Sequence, residues 1–167
     1  MTTRKSVYLA FLIATGILLQ LLESFVPIAG FVPGFKIGFA NIVSLFALYA
    51  YGQREMWIVG MGRIILSSFL QGTFLSIPFW LSCSGGMLAM LMMALWKKSD
   101  WFSIYGISII GSSFHVVGQV ISITWIYQQY FMQIFLPILL AMSIVSGLCI
   151  AYFTTKLLQN MRKGEIL

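Results

Sequence analysis

Long apolar segments follow one another along the chain, interrupted only by short polar stretches. Each approaches the length of about 20 residues that crosses a bilayer as a helix. We predict six transmembrane helices, at about residues 6–26, 38–52, 56–77, 79–96, 102–127 and 132–158. The third is expected to turn at Pro78 into the fourth. Because these segments leave no soluble part, the pattern predicts an all-α integral membrane protein with one transmembrane domain, residues 1–167.

The composition agrees with a membrane protein, since 60% of the 167 residues are hydrophobic and 8% are charged. The mean hydropathy is +0.96. A net charge of +6 would suit nucleic acid, but the basic residues lie at the ends of apolar segments, so nucleic-acid binding is not expected.

Cys83 and Cys149 lie in apolar segments without a CxxC pattern, which favours neither disulfides nor a zinc site. Arg4 and Lys5 open a segment long enough to span, so no signal peptide is expected.

Basic residues also predict the orientation, because cytoplasmic loops of membrane proteins are enriched in Lys and Arg. With the N-terminus in the cytoplasm, eight of these residues fall inside and only Lys36 falls outside. We therefore expect both termini to be cytoplasmic. The eight are Arg4, Lys5, Arg54, Lys97, Lys98, Lys156, Arg162 and Lys163.

A polar, glycine-punctuated loop over residues 33–41 leads into the second predicted helix. Gly34 and Gly38 permit backbone conformations that other residues resist, so the loop is expected to have a defined shape. Lys36 offers a positive charge with three donors, and Asn41 offers both donors and an acceptor. One interpretation is a membrane-surface turn whose lysine reaches lipid headgroups. The other is a ligand-binding loop.

Polar residues recur within the predicted helices, where they must face protein or water rather than lipid. Glu23 lies three residues after Gln20, Ser67 and Gln71 follow Arg63 at steps of four, and Ser112, His115, Gln119 and Ser122 share one face of the fifth helix. We expect six of the polar residues to line one cavity that opens to the outside. They are Glu23, Lys36, Asn41, Gln71, His115 and Gln119.

Several of the polar residues also have a structural explanation. Glu23 can pair with Lys36, because a buried carboxylate needs a partner. His115 can be a neutral histidine bonded across helices. Arg63 is expected about 10 Å from the cytoplasmic face, from its position along the helix. There it would brace helix-end carbonyls or reach back toward the cytoplasm, in preference to touching a ligand.

Small residues form two stripes at helical spacing, and such stripes let membrane helices approach closely. Ala10 and Ala14 form one on the first helix, and Ser143, Gly147 and Ala151 form the other on the sixth. From spacing alone, packing within the chain is favoured over docking onto a second membrane protein.

The sequence lacks the usual signatures of catalysis. Asp100 is its single aspartate, so paired aspartates cannot hold magnesium and diphosphate. There is no P-loop, no nucleophile with a base and no cluster of metal ligands. We expect no enzyme, no metal and no cofactor.

Several motifs resemble a bacterial membrane family named heptaprenyl diphosphate synthase component I, also called the Gx transporter family. The most specific is the run Pro-Gly-x-Lys-x-Gly-x-Ala-Asn over residues 33–41, and where the family has an asparagine after the histidine this chain has Val116. The other matching stretches are 22–24, 42–43, 63–68, 72–76, 85–86 and 115–119.

This family in turn resembles the S components of energy-coupling-factor transporters, which are six-helix proteins that capture a vitamin-like solute. The resemblance implies an S-component-like bundle in the bacterial cytoplasmic membrane. It also implies that Ala10 and Ala14 dock on a transmembrane coupling subunit powered by partner ATPases. The alternative that the resemblance allows is a membrane component of a flavin- or quinone-linked electron-transfer system, or of menaquinone and isoprenoid metabolism.

Overall fold

The computed structural model describes residues 3–24, 38–99, 101–128 and 130–163, and every regular element in this part of the chain is a helix. The predicted all-α class is confirmed. A short 3₁₀ helix over Tyr130–Phe135 precedes the last α-helix. The α-helices are α1 (Thr3–Ser24), α2 (Asn41–Ala50), α3 (Gln53–Leu70), α4 (Ile77–Lys97), α5 (Ile104–Tyr127) and α6 (Leu136–Lys163).

Four stretches are long and apolar enough to cross a membrane, which makes this a multi-pass membrane protein. They are Thr3–Glu23, Ile77–Lys97, Ile104–Tyr127 and Gln133–Met161. Helix α2 is apolar but has only 10 residues. Helix α3 carries Arg54, Glu55 and Arg63 and is not among the four. The count of six spans and their orientation in the membrane therefore remain predictions.

The boundary predicted at Pro78 was wrong. Helix α3 ends at Leu70, and α4 begins at Ile77 with Pro78 in its first turn, where a missing N–H group breaks no helical hydrogen bond. The connection between them uses Gly72 and Leu75, whose φ angles are 63° and 61°. Apolar residues continue through this turn, which is why the hydropathy pattern did not show it.

Two contacts place four helix ends at the same end of the bundle. Lys5 of α1 donates to Glu55 of α3 across 2.6 Å. Lys97 of α4 donates to the Leu48 carbonyl at the end of α2 and lies 4.4 Å from the centre of the Tyr49 ring. The starts of α1 and α3 thus meet the ends of α2 and α4, as an up-and-down arrangement requires.

Glycines bring α4 and α5 into backbone contact. A Cβ atom on Gly85 would lie 2.7 Å from the carbonyl oxygen of His115, and one on Gly118 would lie 2.8 Å from that of Ser84. The Ser84 hydroxyl lies 3.1 Å from the Gly118 carbonyl oxygen, to which it donates. This contact fixes the part of α5 that carries His115 and Gln119.

The two small-residue stripes have different surroundings. Ser143, Gly147 and Ala151 are buried. A Cβ atom on Gly147 would lie 2.8 Å from the Cα atom of Ile109, so packing within the chain is confirmed for the α6 stripe. Ala10 and Ala14 are exposed on α1.

Helix α2 forms the centre of the bundle. Its first eight residues, 41–48, are all buried, so it presents no polar face. On one side of it, α1 and α6 stand apart over an apolar groove of about 450 Å³ that contains Thr15 and extends from Leu19 to Met161.

Candidate solute-binding site at the start of α2

Helix α2 starts deep inside the protein. Ten residues rise only about 15 Å, which is half of the hydrocarbon thickness of a bilayer. Its first backbone N–H groups are partly satisfied by a tight turn, since Asn41 N donates to Gly38 O at 2.8 Å and Ile42 N donates to Phe39 O at 3.0 Å. The N-cap residue, Ala40, provides no side-chain acceptor. The positive end of a helix dipole therefore lies in the interior.

Arg63 is the charged group at this point. Its side chain is 3% exposed, and its terminal nitrogens donate to Gln20 Oε1 at 3.0 Å and to Asn41 Oδ1 at 2.7 Å. Arg63 therefore bonds side-chain amides of α1 and α2 among the described residues, and the bracing of helix-end carbonyls expected from the sequence remains a prediction. Because α3 begins at Gln53, Arg63 lies about 15 Å along it, level with the start of α2.

Glu23 approaches the same place from α1. Its side chain is buried, and Oε1 accepts a hydrogen bond from the backbone N–H of Gly38. Its negative charge attracts the Arg63 guanidinium. The pairing predicted with Lys36 lies outside the described residues.

His115 and Gln119 bring α5 into the cluster. Both are buried, and Nε2 of Gln119 lies 3.0 Å from Nε2 of His115. A Cβ atom on Gly38 would lie 3.4 Å from the His115 ring, so the turn before α2 rests on this histidine. Ser112 is also buried and Ser122 is half-buried, so three of the four residues predicted on one face of α5 lie in the interior.

The space among these groups is small. A cavity of about 10 Å³ is lined by residues that include Glu23, Gly38, Arg63 and His115. That is room for about one water molecule. The cavity open to the outside that the sequence favours remains a prediction, because Lys36 and the rest of its loop up to residue 37 lie outside the described residues. The full lining is Gln20, Glu23, Gly38, Ala40, Arg63, Ser82 and His115.

Four buried polar atoms in this region have no hydrogen-bond partner among the described residues. They are Asn41 Nδ2, Arg63 Nε, Gln119 Oε1 and Ser112 Oγ. Buried polar atoms are nearly always paired, because leaving one unpaired costs about 1–3 kcal/mol. Their concentration at one place indicates a region where polar groups can bind water or a ligand.

The structure brings together most of the residues that the sequence singled out. Glu23 and His115 line the cavity, and Asn41 and Gln119 are bonded to residues that line it. Gln71 follows the last residue of α3 and does not line the cavity. Sequence reasoning noted Gln20 without assigning it to the site, and it missed Ser82, which no charge or motif distinguishes.

A buried polar centre inside an all-helical, multi-pass bundle defines the class as a polytopic membrane protein with an internal polar site. The chain belongs to the family of heptaprenyl diphosphate synthase component I, whose model matches residues 12–157. No curated protein and no solved structure matches the chain.

Proposed function

We propose that this protein is a solute-binding membrane subunit, similar to the S component of an energy-coupling-factor transporter, that takes up a small vitamin-like or precursor solute. The observation that carries the proposal is the buried cluster of Arg63, Asn41 and Gln119 with unpaired polar atoms at the start of α2. Short helices that end in the middle of a membrane protein commonly direct their N-termini at anionic substrate groups.

The residues of the cluster have distinct roles in this proposal. Arg63 and the N-terminus of α2 attract a negative group of the solute, and Asn41 and Gln119 provide hydrogen bonds. His115 holds Gln119 in place, and Glu23 holds the turn at Gly38 closed. Lys36 belongs to the segment that would cover the entrance. No residue is assigned a catalytic role, and no cofactor is needed.

The exposed pair Ala10 and Ala14 is the proposed docking surface for a coupling subunit and its ATPases in the bacterial cytoplasmic membrane. The other small-residue stripe, on α6, packs against α5 within the chain and is not available for docking. The exposure of Ala10 and Ala14 is a separate observation from the polar cluster. Docking there would transmit ATP-driven movement to the bundle.

Profiling of spent growth medium tests the proposal even though the solute is unidentified. Cells that lack this chain should leave one medium component unconsumed, and the wild-type gene should restore its consumption. Asn41→Asp and the double change of Ala10 and Ala14 to Trp should both fail to restore it. Equal consumption of every component with and without the gene would refute the transport role.

A second candidate is a membrane component that handles a quinone or an isoprenoid lipid. The apolar groove between α1 and α6 favours it, since about 450 Å³ suits a lipid chain and Tyr8 and Tyr51 lie in its wall. The name of the family also refers to isoprenoid synthesis. Under this candidate, deletion would change the quinone composition of the membrane while leaving the medium profile unchanged.

A further inference from the structure

The polar cavity restricts what kind of solute can bind. A space of about 10 Å³ accepts a water molecule, or the terminal atoms of one polar group after small adjustments. The remainder of any solute must occupy other space. The glycine contacts between α4 and α5 leave no room for expansion on that side.

An apolar pocket of about 240 Å³ lies directly behind the polar cavity. In the turn before α2, Gly38 and Ala40 line the polar cavity, whereas Phe39 between them lines the apolar pocket. On α5, His115 lines the cavity and Val116 lines the pocket. The two spaces are therefore back to back, and the turn at 38–40 divides them.

The walls of this pocket are suited to hydrocarbon. Its two serines, Ser143 and Ser146, donate to carbonyl oxygens of their own helix at 2.7 and 3.1 Å. Val145 is 63% exposed and Cys149 is also exposed, so the pocket opens on the lipid-facing side of α6. The turn that divides the two spaces contains Gly38 at φ +89°, a conformation that glycine adopts readily.

We infer that the solute is an amphiphilic anion, with its charged head at Arg63 and the start of α2 and its apolar part in the pocket behind Phe39. This inference rests on the proposed function and adds the chemical class of the solute. A shift of the turn at 38–40, together with its Phe39 side chain, joins the two spaces into one site. The head enters where Asn41 Nδ2 and Arg63 Nε present donors without partners among the described residues.

Cys149 provides a native reporter for the pocket, because its free thiol lies in the pocket wall. The test uses the full chain with Cys83→Ser, in nanodiscs of phosphatidylcholine, and measures the rate at which a maleimide modifies Cys149. Octanoate is the probe. Acetate offers the head alone, octanol offers the tail alone, and octyltrimethylammonium offers the opposite charge.

Octanoate should slow the modification saturably, by about tenfold at ten times its Kd, and the other three compounds should not. Asn41→Asp should abolish the protection, because it keeps the oxygen that accepts from Arg63 while adding a charge that repels the head. Arg63→Gln should act in the same direction. The thiol introduced by Thr15→Cys, in the groove between α1 and α6, should remain unprotected.

The inference would be overturned if octanol protected as well as octanoate, or if protection survived Asn41→Asp. Either result would mean that the pocket binds an apolar chain regardless of its head group. Absence of any protection would also overturn it. None of these results would contradict the proposal that the protein captures a solute. That proposal fails separately, if deletion leaves the consumption of every medium component unchanged.

Discussion

At the scale of single residues, spacing along the helices identified the polar centre but not its internal bonding. Gln20 and Glu23, and likewise His115 and Gln119, share helix faces that follow directly from their spacing of three or four residues. The role of Arg63 could not be predicted in this way, because it depends on where α3 begins and on which helix lies opposite. Only tertiary packing places Asn41 within 2.7 Å of its guanidinium.

Gly38 is the residue on which the shape of the site depends most directly. Its φ is +89°, and an added Cβ atom would lie 3.1 Å from Asn41 Nδ2. Gly38→Ala should reduce the free energy of unfolding by about 1–3 kcal/mol, from backbone strain and from displacement of Asn41. Thermal unfolding of the purified protein measures this.

Gly72→Ala is the matched control for that change. Its φ is +63°, and a Cβ atom there would meet nothing within 4 Å, so it isolates the backbone cost. Gly38→Ala should be the more destabilising of the two. If the two variants unfold at the same temperature, the contact between the turn and Asn41 contributes nothing.

At the scale of helices, apolar runs predicted α1, α4, α5 and α6 well because each is long enough to span and has clear ends. The end of α3 was misjudged, since Phe69, Leu70, Phe74 and Leu75 carry the apolar pattern through a turn. The central position of α2 could not be predicted either. A helix that is buried on all sides has no polar face to mark its orientation.

Two small-residue stripes with the same spacing should respond oppositely to larger side chains. Gly147→Leu should lower the unfolding temperature strongly or prevent folding, because the added side chain meets the backbone of α5 at Ile109. Ala10→Leu with Ala14→Leu should leave the unfolding temperature of the isolated chain unchanged, since both positions are exposed. Size-exclusion chromatography and thermal unfolding measure both outcomes. Destabilisation by the Ala10 and Ala14 changes would mean that this stripe packs within the chain.

At the scale of the whole molecule, hydropathy and charge predicted a multi-pass helical membrane protein, and the structure agrees. At one end of the bundle, Lys5 and Lys97 tie helix ends together. The small size of the polar cavity, about 10 Å³, was beyond sequence reasoning. Whether polar side chains enclose a water or a solute depends on differences of an ångström in packing.

The ion pair between Lys5 and Glu55 at that end should make the stability of the protein depend on pH. The hydrogen bond from Lys5 lowers the pKa of the Glu55 carboxyl below its ordinary value. Because the pKa of this carboxyl is lower in the folded than in the unfolded protein, its ionised form stabilises the fold at pH values above the unfolded pKa, which is about 4.3 for Glu. This stabilisation is lost as the pH falls through the folded pKa.

Thermal unfolding of the wild type and of Glu55→Gln should therefore differ by a constant amount above about pH 5, and the difference should shrink below that. The magnitude should be modest, because Lys5 is partly exposed to solvent. High salt should reduce it. A difference that grows on acidification would contradict the assigned role of Glu55.

The most direct measurement of the central claim is native mass spectrometry of the gently solubilised protein, with identification of any small molecule that dissociates from it. The wild type and Glu55→Gln, which changes a buried carboxylate at the far end, should release the same molecule, and Asn41→Asp should release none. A wild type that carries only bilayer phospholipid, or an Asn41→Asp variant loaded as fully as the wild type, would contradict solute capture at the start of α2.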